Sequence, residues 1–301
     1  MKLTLNFFLL ILFSTHIVGQ DVLFYNTYHS QLYYNPAFAG SNEASAINYS
    51  YRNQWPELSG NYQTHFLEAN QVLSKGHGLG ISYLHDNSAN TLFRNEFQIS
   101  YAKSFSINEK SMLSFGTRMG IIHKKLDYSN LIFGDQIDPR QGFVYNTSDP
   151  IAESVNAYDI SFGALYYNKR WYVCASGLHL NTPNTSLTGG NAPLPVLINA
   201  QLGYKWEIKS FNIIPFARVF SQGTFNSYWT GVKLRYKKVQ ASFIFQNESS
   251  FIYGLRYCGE IFSIGYHFNY FDSPLFATTH ELGLGLNLNP FNKTNNLPFN
   301  F

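Results

Sequence analysis

The sequence predicts an all-β chain closing into a 14-stranded antiparallel transmembrane β-barrel of the outer-membrane kind, and three observations carry that prediction. First, aromatic residues make up 18% of the 301 residues and charged residues only 13%, about half the roughly 25% charge of a soluble domain. Second, the apolar residues are never concentrated: beyond the N-terminus no run of about 20 of them offers a helical span, and mean hydropathy is only −0.17. Third, apolar and polar residues alternate with period 2 in segment after segment from residue 46 onward, the pattern of strands with two unlike faces. A hydrophobic content of 45% and a net charge of +3 also argue against a disordered chain.

The elements follow in chain order. Residues Met1 to about Gln20, with Lys2 before the apolar stretch Leu3 to Val18, read as a signal peptide and imply export. Residues 21–45, expected as a periplasmic segment ahead of the barrel, are rich in Tyr, Phe and Asn outside any strand pattern. Such rings need a surface, so three alternatives stand: disorder, packing under or into the barrel, or binding a partner. Fourteen strands are expected across a barrel domain 46–288, at about 46–55, 64–72, 77–86, 91–105, 111–126, 157–167, 170–179, 195–206, 211–220, 227–236, 239–246, 250–257, 261–270 and 280–288. The clearest is 227–236, where Tyr228, Thr230, Val232, Leu234 and Tyr236 share one face and Trp229, Gly231, Lys233 and Arg235 the other. The segments 64–72 and 170–179 fit less well, because Glu68 or Gln71 falls on an apolar face and Cys174 and Ser176 leave an inner face ill-defined. Connections alternate between tight turns and longer loops, the longest of about 30 and about 15 residues on one side only, which is barrel rather than β-sandwich behaviour. The even strand number sets both termini in the periplasm. Residues 289–301 form a C-terminal periplasmic tail.

A barrel of fourteen strands encloses more than one layer of side chains can fill, so its lumen holds water, a plug or a partner's segment. The faces assigned inward carry Arg52, Arg94, Arg118, Lys205, Arg218, Lys233, Arg235 and Arg256 against Glu96, Asp159 and Glu281. A polar, net basic lumen is expected, with Arg118, Arg218, Lys233, Arg235, Arg256 and Glu281 as its charged groups. No catalytic chemistry is legible: the histidines are scattered without metal spacing, no Gly-x-Ser-x-Gly elbow occurs, and KGHGLG at 75–80 lacks the end of a dinucleotide fingerprint. The carboxylates Asp135, Asp138, Asp149 and Glu153 do not have calcium-loop spacing. Cys174 and Cys258 are read as structural thiols. No cofactor, no metal and no nucleic-acid partner is expected, and the chain is read as non-enzymatic.

Four segments, NPAFAG at 35–40, YRNQW at 51–55, FGDQIDPRQGF at 133–143 and HELGLGLNL at 280–288, occur in an order and spacing that resemble the PorP/SprF family of outer-membrane proteins. The resemblance implies a role in type IX secretion and gliding motility. Its expected partners are outer-membrane lipid, periplasmic secretion components and the C-terminal domain of a secreted adhesin. The residues expected to meet partners are Phe133, Asp135, Asp138, Arg140 and Phe143 in the long loop and Tyr34, Asn35, Pro36 and Phe38 in the N-terminal segment. The alternative from a different class is a channel or transporter for small hydrophobic or polar molecules.

Overall fold

In the computed structural model, residues 20–41, 45–128, 152–247, 250–271 and 278–288 are described, with 131, 136–138, 140, 142 and 143 from the intervening loop. The expected signal peptide to residue 19 and the tail 289–301 lie outside the described residues.

The alternating segments become fourteen barrel strands among the described residues: β1 (Ala46–Gln54), β2 (Tyr62–Val72), β3 (His77–Ser88), β4 (Leu92–Asn108), β5 (Ser111–Leu126), β6 (Ser154–Asn168), β7 (Trp171–Leu178), β8 (Leu197–Tyr204, continued as Trp206–Ile208), β9 (Phe211–Gln222), β10 (Phe225–Tyr236), β11 (Val239–Gln246), β12 (Ser250–Cys258), β13 (Phe262–Phe271) and β14 (Thr278–Asn287). Each pairs antiparallel with its neighbours in sequence, and β1 pairs with β14 from Ala46↔Asn287 to Gln54↔Thr279, which closes the sheet. Closure is what hydrocarbon demands, since an open edge would leave backbone N–H and C=O groups without partners. β8 is interrupted at Lys205, whose N–H donates to Arg170 O across the neighbouring turn at 2.7 Å. A separate two-residue hairpin, Ile137–Asp138 with Gly142–Phe143, stands in the β5–β6 loop. No helix among the described residues is long and apolar enough to cross a membrane.

The outer face shows where lipid ends. On β3 the outward residues Leu79, Ile81 and Tyr83 lie between His77 and His85. That interval is about 26 Å of strand at about 3.3 Å per residue, or about 20 Å of height at a tilt of about 40°, close to the roughly 25 Å apolar band of such barrels. Above it runs a cross-strand row of polar rings and amides, Tyr51–His65–His85–Asn95–His123–Asn156. Its members satisfy one another: His85 Nδ1 lies 2.8 Å from Asn95 Oδ1, and His123 Nδ1 the same distance from Asn156 Oδ1. Below it His77 is paired with Lys103, with 2.8 Å between Nε2 and Nζ.

The inner face is not uniformly polar. Phe66, Leu84, Phe216, Phe220, Trp229, Ile244 and Ile252 are buried there around Phe24, Tyr25, Tyr33 and Tyr34 of the N-terminal segment. That packing accounts for β2, whose inward face mixes Phe66 with Thr64, Glu68 and Asn70. Phe66 meets the rings of Phe24 and Tyr33, while Glu68 and Asn70 serve backbone groups and Thr64 donates to Asp86.

Candidate functional site

Residues 21–41 fill the lumen. The two ends of the barrel differ: one carries the tight turns, such as 169–170 and 237–238, and the other the long loops 127–153 and 179–196. Asp21 sits at the long-loop end, its N–H donating to Gln222 Oε1 at 2.9 Å and its carboxylate meeting Arg94 and His179. The chain then descends to Gly40, whose N–H donates to Asn70 Oδ1 at 2.7 Å near the tight-turn end. Asp21 and Asn287 therefore lie at opposite ends of the barrel. Even strand number governs only where β1 begins and β14 ends; it does not set the position of a segment that runs back through the lumen, so the expectation that both termini share a compartment is corrected for Asp21.

This stretch folds inside the barrel because its backbone groups find partners on the wall. It makes one short helix, α1 (Gln31–Tyr34), and a 3-10 turn, Pro36–Phe38. Asn35 links them: its Oδ1 accepts the Ala37 N–H at 2.9 Å, and its Nδ2 donates to Ala164 O and Ala175 O, both at 3.1 Å. Glu281, 0% exposed, accepts the N–H groups of Tyr25 and Asn26 at 2.7 and 2.6 Å. Glu68 accepts the Leu32 N–H at 2.9 Å and the Asn48 amide at 2.9 Å. Arg118 Nη1 donates to Leu32 O at 3.1 Å and Tyr33 O at 2.8 Å, which satisfies carbonyls at the end of α1. Ser176 Oγ donates to Tyr34 O at 2.6 Å, and Ser114 Oγ to Ala37 O at 2.9 Å. Two wall glycines make the approach possible, since a Cβ at Gly163 would overlap the Asn35 side chain and one at Gly116 the Pro36–Ala37 backbone.

Cations also cover the aromatic rings. The Arg218 guanidinium lies 3.6 Å from the Tyr34 ring centre and 4.4 Å from that of Phe220, and Arg256 lies 3.8 Å from the Tyr28 ring centre. Such contacts strengthen when desolvated, to about 2 kcal/mol.

At the long-loop end the site is built from charge. His179, left-handed at φ 58° just past β7, places Nδ1 2.8 Å from Asp159 and Nε2 2.8 Å from Asp21. Burial opposes its protonation, but Asp21 and Asp159 outweigh it and raise the imidazole to about 9. Burial would likewise raise the Asp21 carboxyl, yet Arg94 at 2.5 Å and His179 hold it well below the carboxylate range. Arg94 also pairs with Glu96. Farther down, the His29 Nε2 lies 2.8 Å from Ser263 Oγ.

The structure places the candidate residues as follows. Tyr34, Asn35, Pro36 and Phe38 are buried against the barrel wall. Arg118, Arg218, Lys233, Arg256 and Glu281 face the lumen and are buried. Arg235 is half-buried near the tight turn, its Nε donating to Lys237 O at 3.1 Å. Phe133 and Asp135 lie outside the described residues; Asp138 and Phe143 belong to the loop hairpin, and Arg140 is exposed in its turn. Asp21, Glu68 and His179 were not singled out from the sequence as site residues, because their partners are as far away as Gln222 and Arg94 and no local spacing signals them.

The long-loop end also has an open strand edge. β6 pairs with β7 only over Phe162–Tyr167. Above that, Leu180 N–H donates to Ile160 O at 2.8 Å and Asn181 serves Ile160 N–H and Tyr158 O. Among the described residues, beyond Tyr158, which is 77% exposed, β6 is paired from Ala157 up to Ser154 through β5 alone. The closed barrel thus offers no strand edge in the apolar band and, among the described residues, one above it.

The family model for "Type IX secretion system membrane protein PorP/SprF" matches residues 17–286. No protein among the curated sequences matches. The fold is similar to that of the Ralstonia pickettii toluene transporter TbuX, at 10% identity and a TM-score of 0.48, covering 85% of this chain and 92% of that one. It is also similar to the Acinetobacter baumannii outer membrane protein Omp33, at 11% identity and a TM-score of 0.45, covering 81% and 98%. The KdgM porin matches at 10% identity and a TM-score of 0.37, covering 81% and 99%.

Proposed function

Since the chain belongs to the PorP/SprF family of type IX secretion system membrane proteins, an outer-membrane β-barrel family, we propose that it is a non-enzymatic barrel that binds, helps export or anchors one secreted surface protein through that partner's C-terminal domain. The observation that carries this reading is the filled lumen. With residues 21–41 anchored to wall residues such as Glu68, Arg118, Ser176 and Glu281, the chain itself occupies the lumen among the described residues, which supports a working surface at an end of the barrel. The long-loop end is taken to face the cell exterior, as the asymmetry of turns and loops supports. There the 127–156 loop and the 180–194 loop form the grip, and the open edge of β6 offers backbone groups for strand addition by a β-rich partner. The tight-turn end is the periplasmic side, where secretion components would dock.

Extraction in mild detergent followed by affinity capture tests this directly. The expected result is co-purification of a secreted surface protein, lost when residues 133–143 are deleted; unchanged surface display of that protein in the deletion would remove the loop from the mechanism. The alternative of a channel for small molecules requires the plug to leave, and a large stable open state of the intact purified barrel in single-channel recording would favour it.

A further inference from the structure

At the tight-turn end, three neighbouring turns carry positive charge. The β6–β7 turn holds Lys169 and Arg170, the β8–β9 turn Lys205 and Lys209, and the β10–β11 turn Lys237 and Lys238. Strand pairing sets them side by side: Tyr204 of β8 faces Trp171 of β7, and Phe211 of β9 faces Tyr236 of β10, so adjacent turns stand two strand spacings, about 10 Å, apart. All but the half-buried Lys205 are exposed. The carboxylate on these turns is Glu207, which pairs with Lys205 at 2.6 Å. Whichever cation Glu207 serves, the arc keeps a net positive charge. Lys209 and Lys237 both take left-handed backbone at φ 53°, where Gly or Asn suits a two-residue turn best, so turn geometry alone does not call for lysine there. The charges also stand at the rim of the apolar wall. On its outward face the rings of Trp171 and Tyr204 have centres 4.7 Å apart, as do those of Phe211 and Tyr236, and such rings mark the level of lipid headgroups. Lys237 folds back over them, its Nζ 5.2 Å from the Tyr236 ring centre.

We propose that this arc binds anionic phospholipid, a phosphodiester headgroup of net negative charge, in the leaflet that meets the tight-turn end. A zwitterionic headgroup brings its own ammonium and leaves the arc's charge uncompensated. An anionic one neutralises it, and each Lys or Arg near such a surface adds to the attraction. An acidic protein surface would also answer the charge, but the outward rings and the folded-back Lys237 place the arc on the flank of the barrel at headgroup depth. That this leaflet is the periplasmic one rests on the orientation taken above; the headgroup selectivity does not.

Native mass spectrometry of the delipidated full barrel, titrated with phosphatidylglycerol or with phosphatidylethanolamine, gives the primary test. Phosphatidylglycerol should bind at least about ten-fold more tightly; equal affinity for the two lipids overturns the proposal. A variant combining Lys169→Gln, Arg170→Gln, Lys209→Asn, Lys237→Asn and Lys238→Gln removes the charge with residues that suit the turns. It should lose the selectivity while thermal unfolding stays unchanged, and selectivity that survives in it overturns the assignment to this arc. Combining Lys209→Arg, Lys237→Arg and Lys238→Arg keeps the charge and should keep the selectivity, which separates loss of the site from loss of folding. A photo-crosslinking side chain at position 237 in intact outer membranes should capture phospholipid. Capture of a protein there in place of lipid overturns the proposal in favour of an acidic docking partner.

Discussion

The two ends of the plug are held by different chemistry. At the long-loop end Asp21 is fixed by the charges of Arg94 and His179, the second a group whose grip depends on its protonation. Toward the tight-turn end Tyr34 to Gly40 are fixed by neutral hydrogen bonds with Asn70, Ser114 and Ser176 and by close backbone approach at Gly116 and Gly163. Charge pairs can be undone by pH or by a competing charge, whereas packing against a glycine cannot. A signal arriving at the long-loop mouth can therefore loosen the plug from its Asp21 end while its other end stays seated.

The largest expected effect comes from removing the plug altogether. Joining the leader directly to Ser45 deletes both ends of the comparison and leaves Glu68, Arg118 and Glu281 facing an unfilled lumen. The purified barrel should then change from electrically silent to a stable open state in planar bilayers. If the deletion stays silent, the segment is not what blocks the barrel.

Next is Glu281→Ala, which leaves the buried N–H groups of Tyr25 and Asn26 without acceptors. At roughly 1–3 kcal/mol for each unsatisfied group, a loss of about 4 kcal/mol in plug docking is expected. Hydrogen exchange across residues 21–30 should rise strongly while exchange in the strands stays slow. Equal acceleration in both would mean that plug and wall unfold as one unit.

The fold was legible because barrel strands carry their signal locally. In 227–236 one face reads Tyr228, Thr230, Val232, Leu234, Tyr236 and needs no distant residue to be assigned, and the structure places β10 over Phe225–Tyr236. Strand 64–72 was harder because its inward face serves two masters, Phe66 packing on rings and Glu68 binding a backbone N–H. The plug was legible only as a question. Asn35 of NPAFAG packs at the distant Gly163, and Glu281 and Gly283 of HELGLGLNL receive the distant Tyr25 and Asn26. Those contacts exist only once the barrel has closed around the segment, so no periodicity encodes them. The His179–Asp21 pair was invisible for the same reason.

The charge end should respond to pH, with a sign that follows from its two groups. His179 is raised from 6.5 to about 9, so its contribution is complete below 6.5 and is lost as pH rises through about 9. Asp21 is lowered from 3.8, so its contribution is present above 3.8 and is lost in stronger acid. The Asp21 end is held best between those limits and weakens on the alkaline side, by at most about 3 kcal/mol. Hydrogen exchange of residues 21–25, corrected for intrinsic rates, should accelerate between pH 7 and 9, and His179→Gln should remove that pH dependence. Exchange that is flat with pH in the intact protein would sink this account.

The smallest effect belongs to the packed end. Ser176→Ala removes the 2.6 Å bond from Oγ to Tyr34 O, a neutral contact worth about 1 kcal/mol. Arg118 still holds the carbonyls of Leu32 and Tyr33, the two residues before Tyr34, and the Arg218 guanidinium still covers the Tyr34 ring. Exchange near Tyr34 should therefore rise by only about five-fold, with no change between pH 7 and 9. If Ser176→Ala instead gave the plug a pH dependence like that of the Asp21 end, the two ends would be coupled through the Tyr34 backbone. The contrast between a titratable end and a packed one would then collapse into a single cooperative plug.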